Sequence, residues 1–363
     1  MQRLFQSVAL AACLVLPAVA AQAQAAAAPA SVASAHVRVL ATGGTIAGVG
    51  PANGSSYRSG QVAVADLIAA LPGVETIARV SGEQVANTAS GNIDEAIWRR
   101  LHARVLAAMA DPDVTGVVIT HGTDTLEETA FFLNLLLPRT KPVVVVGSMR
   151  PSTAVSADGP QNLMDAIRVA AAPAAVGRGV MVVMNDTIFE PTSVTKVDVQ
   201  RVEAFAAPSR GPVGDVLRPR PRFYAAAAPG GPLVSLGDAP LPKVAIVYAH
   251  IGLTGEDVRR IAGDAAGVVI AGVGAGGFPS AAQAAVRDLM ARGVAVVRTP
   301  RQGFGDIGAS EAPAASSDDE GGLLAGRELT PAKARILLML GLQQKRSRAQ
   351  LQALFNATVV QGN

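Results

Sequence analysis

Two hydroxyl-rich stretches hold the residue types best suited to chemistry. Ala41-Thr42-Gly43-Gly44-Thr45-Ile46-Ala47-Gly48 follows the apolar run Val37–Leu40, and Thr120-His121-Gly122-Thr123-Asp124-Thr125 follows Val114–Ile119. A threonine hydroxyl is a weak nucleophile near neutral pH until a neighbouring base or charge activates it. Thr45 stands in a turn bracketed by glycines, which either bring backbone close to a ligand or only tighten a strand–helix connection. In the second stretch Asp124 is either a helix cap or a carboxylate kept for a ligand ammonium; Thr123 and Thr125 already offer caps. His121 is read as structural. Lys196, in Ser193-Val194-Thr195-Lys196-Val197-Asp198, is a solvated lysine unless the fold sets it beside Asp124 and Thr123. There it joins a proton relay or fixes the geometry and field around Thr123.

Both threonines lie where a buried strand hands the chain to a helix. In open α/β sheets ligands bind outside the carboxyl ends of the strands, so two such loops can meet over one pocket. The rest of the chain supports that setting, because short apolar runs alternate with helical patterns as in βαβ units. Strands are expected at Val37–Leu40, Gly116–Thr120, Val143–Val146 and Val180–Met184, with helices at Val64–Ala70, Asp94–Met109, Leu126–Leu137 and Asn162–Ala171. Asp94 is a plausible cap, and Glu127 and Glu128 suit the positive end of their helix. From Pro208 to Leu241 the composition turns to Pro, Gly, Ala and Arg, with a β-hairpin expected near Gly214–Tyr224. A second α/β unit follows, with strands Val244–Tyr248, Val268–Ala271 and Val294–Arg298 and helices Glu256–Ala262, Ala281–Arg292 and Pro331–Leu342. The expected class is α/β in two domains, a larger flavodoxin-like parallel-sheet domain over 37–222 and a smaller α/β domain over 243–363, linked by 223–242.

With 363 residues, half of them apolar, the chain can bury a large core, and 4% aromatics make that core aliphatic. A net charge of +3 without a dense Lys/Arg run argues against nucleic-acid binding. Arg3, the apolar stretch from Val8 to Val19 and an Ala-x-Ala site at Ala18–Ala20 or Ala21–Ala23 read as a secretory leader over 1–23, followed by a flexible tether over 24–36. Leu10-Ala11-Ala12-Cys13 also fits a lipoprotein signal, but the chain stays apolar after Cys13, so ordinary cleavage into the periplasm is the expectation. No later segment is a credible membrane helix. Cys13 is the one cysteine, so the mature chain would hold no disulfide.

Gly272-Val273-Gly274-Ala275-Gly276-Gly277 matches the dinucleotide fingerprint. Arg298-Thr299 stands where an acidic residue is expected, and only one further strand follows, so no cofactor is expected. The four histidines show no metal-ligand spacing.

Several blocks in order resemble the bacterial secreted L-asparaginases of the asparaginase/glutaminase family. They are the two threonine stretches, Gly82–Val85, Gly147–Ser152, Ser156–Pro160, Val183–Asp186 and Leu329–Arg335. The resemblance implies hydrolysis of the side-chain amide of L-asparagine, with L-glutamine as a further substrate, in a homotetramer. It makes Thr45 the nucleophile and Tyr57 the tyrosine of a mobile loop, with Thr123, Asp124 and Lys196 as the second catalytic group. Ser90 would hold the substrate α-carboxylate and Asp124 its α-ammonium. Gly91 stands where common relatives carry Gln or Glu, and Ala275 where an asparagine is frequent. Glu311 is the best match for an acidic residue lent across the subunit contact. A periplasmic amino-acid-binding protein without catalysis is the alternative reading.

Overall fold

Val37, Val39 and Ala41 bury their side chains on one side of the first strand, and Leu40 on the other. A strand buried on both faces reads as a continuous apolar run, which is what the parallel strands of a covered sheet require. The computed structural model describes residues 35–51, 56–217, 220–227, 230–308 and 322–360. The expected leader, most of the tether, and Glu311 lie outside the described residues.

The first half of the chain runs β1 (His36–Gly43), α1 (Val64–Ala69), β2 (Arg79–Thr88), α2 (Glu95–Ala110), β3 (Gly116–Thr120), α3 (Leu126–Leu136), β4 (Val143–Val146), α4 (Gly159–Ala171) and β5 (Val180–Met184). Short strands follow: β6 (Thr187–Phe189), β7 (Thr195–Lys196), β8 (Phe205–Ala206), β9 (Gly214–Asp215) and β10 (Arg222–Phe223). The last third runs β11 (Val244–Tyr248), α5 (Gly255–Ala262), β12 (Gly267–Gly272), α6 (Ser280–Ala291), β13 (Ala295–Pro300), β14 (Leu324–Ala325), α7 (Pro331–Gln343) and α8 (Arg348–Val360).

The large sheet is ordered β10-β9-β6-β5-β4-β3-β1-β2, and its strands from β2 to β5 are parallel neighbours. That 2-1-3-4-5 order is the flavodoxin-like arrangement, and it reverses direction between β1 and β3. β6, β9 and β10 extend the sheet in antiparallel fashion, so the expected hairpin forms with Asp215 opposite Arg222. The second sheet is β11-β12-β13-β14, all parallel.

One face of the large sheet packs on α1 and α4. The other packs on α2 and α3, and this core is continuous with α7, α8 and the inner face of the second sheet. Trp98 of α2 stacks on Phe132 of α3 with ring centres 4.6 Å apart. Asp94 caps α2 as expected, accepting from the Ile97 N–H at 2.8 Å.

The sequence expectation omits the short strands β6, β7, β8 and β14 and two longer elements, β2 and α8. β2 is an edge strand with mostly half-exposed polar residues, so it lacks the apolar run that marks its neighbours. α8 packs Leu351, Leu354 and Phe355 into the core. Its start signal is a Ser347/Gln350 box, in which each side chain accepts from the other residue's backbone N–H.

The turn after β1 is tightly constrained. Gly44 has φ +82°, and a Cβ added there would lie 2.3 Å from the backbone nitrogen of Gly122 in the turn after β3. Gly44→Ala is therefore expected to destabilise the fold by more than about 1 kcal/mol through both strain and collision. At Gly91 an added Cβ meets nothing within 4 Å. Gly91→Ala is expected to shift stability by less than about 0.5 kcal/mol, as is usual for open surface positions. Urea midpoints of the two variants check this contrast.

Candidate active site

β1 delivers Thr45 directly. The chain leaves the strand at Gly43, is pinned by the Gly44 N–H to Thr88 O at 2.9 Å, and turns once through Thr45–Ala47. Thr45 is buried, and its Oγ1 lies 2.7 Å from the Tyr57 hydroxyl. Tyr57 belongs to a flap tied at its base by a two-way backbone pairing of Val49 with Arg58, at 3.1 and 2.9 Å. Gln61 and Val62 fasten the far side of the flap to Ala47 O. The loop after β4 supports it from below, with the Ser152 hydroxyl donating to Gly48 O at 2.7 Å. That loop is itself ordered by Asp158, whose carboxylate accepts from the Met149 and Arg150 N–H groups, both at 2.9 Å. Tyr57 stays half-exposed over a buried hydroxyl, the geometry of a cover rather than of a core side chain.

The turn after β3 brings Thr123 and Asp124. Lys196 reaches both: its Nζ donates to Thr123 Oγ1 at 2.9 Å and to Asp124 Oδ1 at 2.6 Å. Lys196 arrives from the far side of the sheet. The β5–β6 hairpin turns through Asn185 and Asp186, both at positive φ, and the chain then runs on to β7. The Lys196 backbone N–H is held by Glu127 Oε2 at 2.7 Å. Thr125 makes no side-chain cap on α3; its hydroxyl donates instead to Ser90 O at 2.8 Å. The loop hydroxyl thus ties neighbouring loops together, while the first turn of α3 keeps its positive end beside Asp124.

Ser90 sits in a single helical turn after β2 and is buried. A Cβ built on Gly122 would lie 2.9 Å from Ser90 Oγ, so the turns after β1, β2 and β3 are in mutual contact. The structure therefore gathers Thr45, Tyr57, Ser90, Thr123, Asp124 and Lys196 at one sheet edge. Gly91 is adjacent and exposed. Ala275 lies in a separate turn after β12, where Val273 and Gly277 pair.

His121 is fully buried, and burial pushes its imidazole down to about 4. Its Nδ1 faces the Gly122 carbonyl at 2.8 Å, which fixes the proton there in the neutral ring. Nε2 then accepts from the Thr129 hydroxyl at 2.9 Å, and Thr129 in turn accepts from Trp98 Nε1 at 2.9 Å. The ring braces the Thr123 turn from inside. Glu127 is the site residue whose role sequence reasoning missed. Its place in a first helical turn suggested only a complement to the helix dipole, and its bond to Lys196 spans 69 positions.

The chain matches the family models "Asparaginase, N-terminal" over residues 36–228 and "Glutaminase/Asparaginase C-terminal domain" over 243–355. It is 44% identical over 329 residues to L-asparaginase 2 of Bacillus subtilis, covering 88% of this chain and 86% of that one. It is 40% identical over 354 residues to the glutaminase-asparaginase of Pseudomonas fluorescens, covering 96% of each. The crystal structure of a probable cytoplasmic L-asparaginase from Campylobacter jejuni superposes with a TM-score of 0.82 at 36% identity, covering 88% of this chain and 99% of that one.

Since the His121 imidazole ionises near 4 in the fold against 6.5 in the unfolded chain, the unfolded state binds the extra proton between those values. Its contribution is complete above pH 6.5 and is lost as pH falls toward 4, an effect on the order of 3 kcal/mol. Urea unfolding at pH 7 and pH 4.5 should show wild type losing more stability than His121→Asn; equal losses would contradict the neutral brace.

Proposed function

The chain belongs to the asparaginase family, and on that premise we propose that it hydrolyses the side-chain amide of L-asparagine to L-aspartate and ammonia through a threonyl acyl-enzyme, with L-glutamine as a further substrate. The observation that carries this reading is the pair of buried hydroxyls, each with its own polar partner, on turns whose backbones touch at Gly44 and Gly122.

In this reading Thr45 Oγ1 attacks the amide carbon as its proton passes to the neighbouring hydroxyls of the site. The carbonyl π bond opens to an oxyanion, which backbone N–H groups of the loops and Thr123 stabilise. The C–N bond then breaks, and ammonia leaves with a proton delivered through the site's hydroxyls. A water next attacks the threonyl ester and releases aspartate, and Thr45 regains its proton. Tyr57 covers the nucleophile and excludes water until the ester has formed. Lys196 holds Thr123 and Asp124 in register. Ser90 takes the α-carboxylate. Asp124 keeps 75% of its side chain exposed, which leaves its carboxylate accessible to the substrate α-ammonium.

The same reading places the protein in the periplasm after removal of residues 1–23, assigns 37–222 and 243–363 as its domains, and assembles it as a homotetramer with Glu311 lent across the contact. Among the described residues no helix is long and apolar enough to cross a membrane. A non-catalytic binding protein would need neither covered hydroxyl, and the family does not favour it.

Two outcomes test the proposal. Thr45→Ala should lower ammonia release from asparagine at least about a thousandfold while aspartate binding persists, because only the bond-forming atom is removed. An unchanged rate removes Thr45 from the mechanism. Gly91 carries no side chain toward the substrate amino group, so Gly91→Gln should lower the KM for asparagine several-fold, as the open space there admits a longer side chain. Steady-state ammonia release from both amides measures this and sets the asparagine-to-glutamine ratio.

A further inference from the structure

Lys333 has no solvent exposure at all, yet it sits in the first turn of α7, where the helix dipole already disfavours a cation. Burial pushes its ammonium down to about 8, against the pull of Glu127, Glu128 and Glu190. Its helical neighbours Ile336 and Leu337 fill the same core with apolar side chains at no such cost. A lysine kept there calls for a polar task.

That task is visible in its bonds. Lys333 Nζ donates to Thr192 O at 3.3 Å and, more closely, to Val194 O. These carbonyls belong to the short segment that enters β7, and Lys196 follows Val194 by two residues. The other end of the segment is gripped from α3, where Glu127 accepts the Lys196 backbone N–H at 2.7 Å. Glu127 lies in the helix that grows directly out of the Thr123-Asp124 turn. Two helices therefore hold the 192–196 segment, one from each half of the chain, and the side chain between them reaches Thr123 and Asp124. β7 itself pairs with only the two-residue β8, too little ladder to fix a lysine tip on its own.

We propose that Lys333 is a positioning residue for the reaction: with Glu127 it clamps the 192–196 segment, so that the Lys196 ammonium stands between Thr123 and Asp124. The second sheet unit thereby contributes to catalysis through α7 without touching the substrate. This inference rests on the assignment of Lys196 under the proposed function.

A mutant cycle on the full-length enzyme separates the two. Kinetics with asparagine are measured for Lys196→Ala, Lys333→Met and the double variant. Lys333→Met is expected to lower kcat at least about tenfold with KM within about twofold, and the double variant to be no slower than Lys196→Ala alone. A merely structural role would lower the amount of active protein by the same factor in both backgrounds. A full repeat of the Lys333→Met loss on top of Lys196→Ala therefore overturns the inference, as does a kcat for Lys333→Met within twofold of wild type. If Lys333→Met does not fold, Glu127→Ala enters the same cycle with the same expectation, and an additive loss there overturns the clamp. Wild-type turnover in Lys196→Ala would instead overturn the underlying assignment of Lys196.

Discussion

The structure depends on one contact: the turn after β1 and the turn after β3 lie backbone against backbone, with no side chain between them. Sheet order makes the contact possible, because β1 and β3 are hydrogen-bonded neighbours whose following connections diverge. A divergence of this kind opens a crevice at the carboxyl ends of the strands. Glycines at 44 and 122 then let the two turns close on each other, and each carries a threonine one position later. Two hydroxyls on rigid strand ends are set at a fixed separation before any ligand arrives. For the proposed reaction, the preorganisation that the two hydroxyls need is supplied by the sheet.

Around that contact Tyr57, Ser90 and Lys196 are each held by a different element. Tyr57 comes from a flap braced by the loop after β4, Ser90 from the turn after β2, and Lys196 from a segment that α3 and α7 grip together. Beneath the Thr123 turn the Trp98, Thr129 and His121 chain is fully satisfied within the core, so the turn rests on a hydrogen-bonded support. Buried polar networks in which each member has a partner rigidify their surroundings. Tyr57 stays half-exposed above the buried Thr45 hydroxyl.

The amino-acid sequence reveals most of this fold through its apolar strands. Val143–Val146 reads as a strand covered on both faces, and the glycine-bracketed turn at Thr45 stands out beside its run. β2 hides, because an edge strand needs no apolar stripe, and Arg79-Val80-Ser81-Gly82-Glu83 looks like a loop. At the site, the local grouping of Thr123 with Asp124 is legible, since both lie on one turn. The convergence of Thr45, Ser90 and Lys196 on it is not, because it depends on strand order and a register that spans the sheet. Lys333 is the extreme case: its charge suggests solvent, and only packing shows that two backbone carbonyls hold it inside.

The atom that carries the substrate's acyl group decides the mechanism. Mixing the enzyme with asparagine, quenching in acid within milliseconds and digesting the protein for mass spectrometry reads that atom directly. A transient aspartyl ester on the peptide bearing Thr45, absent before mixing and gone after turnover, is the predicted result. An adduct on another peptide alone, or full turnover with none formed on the Thr45 peptide, would contradict it.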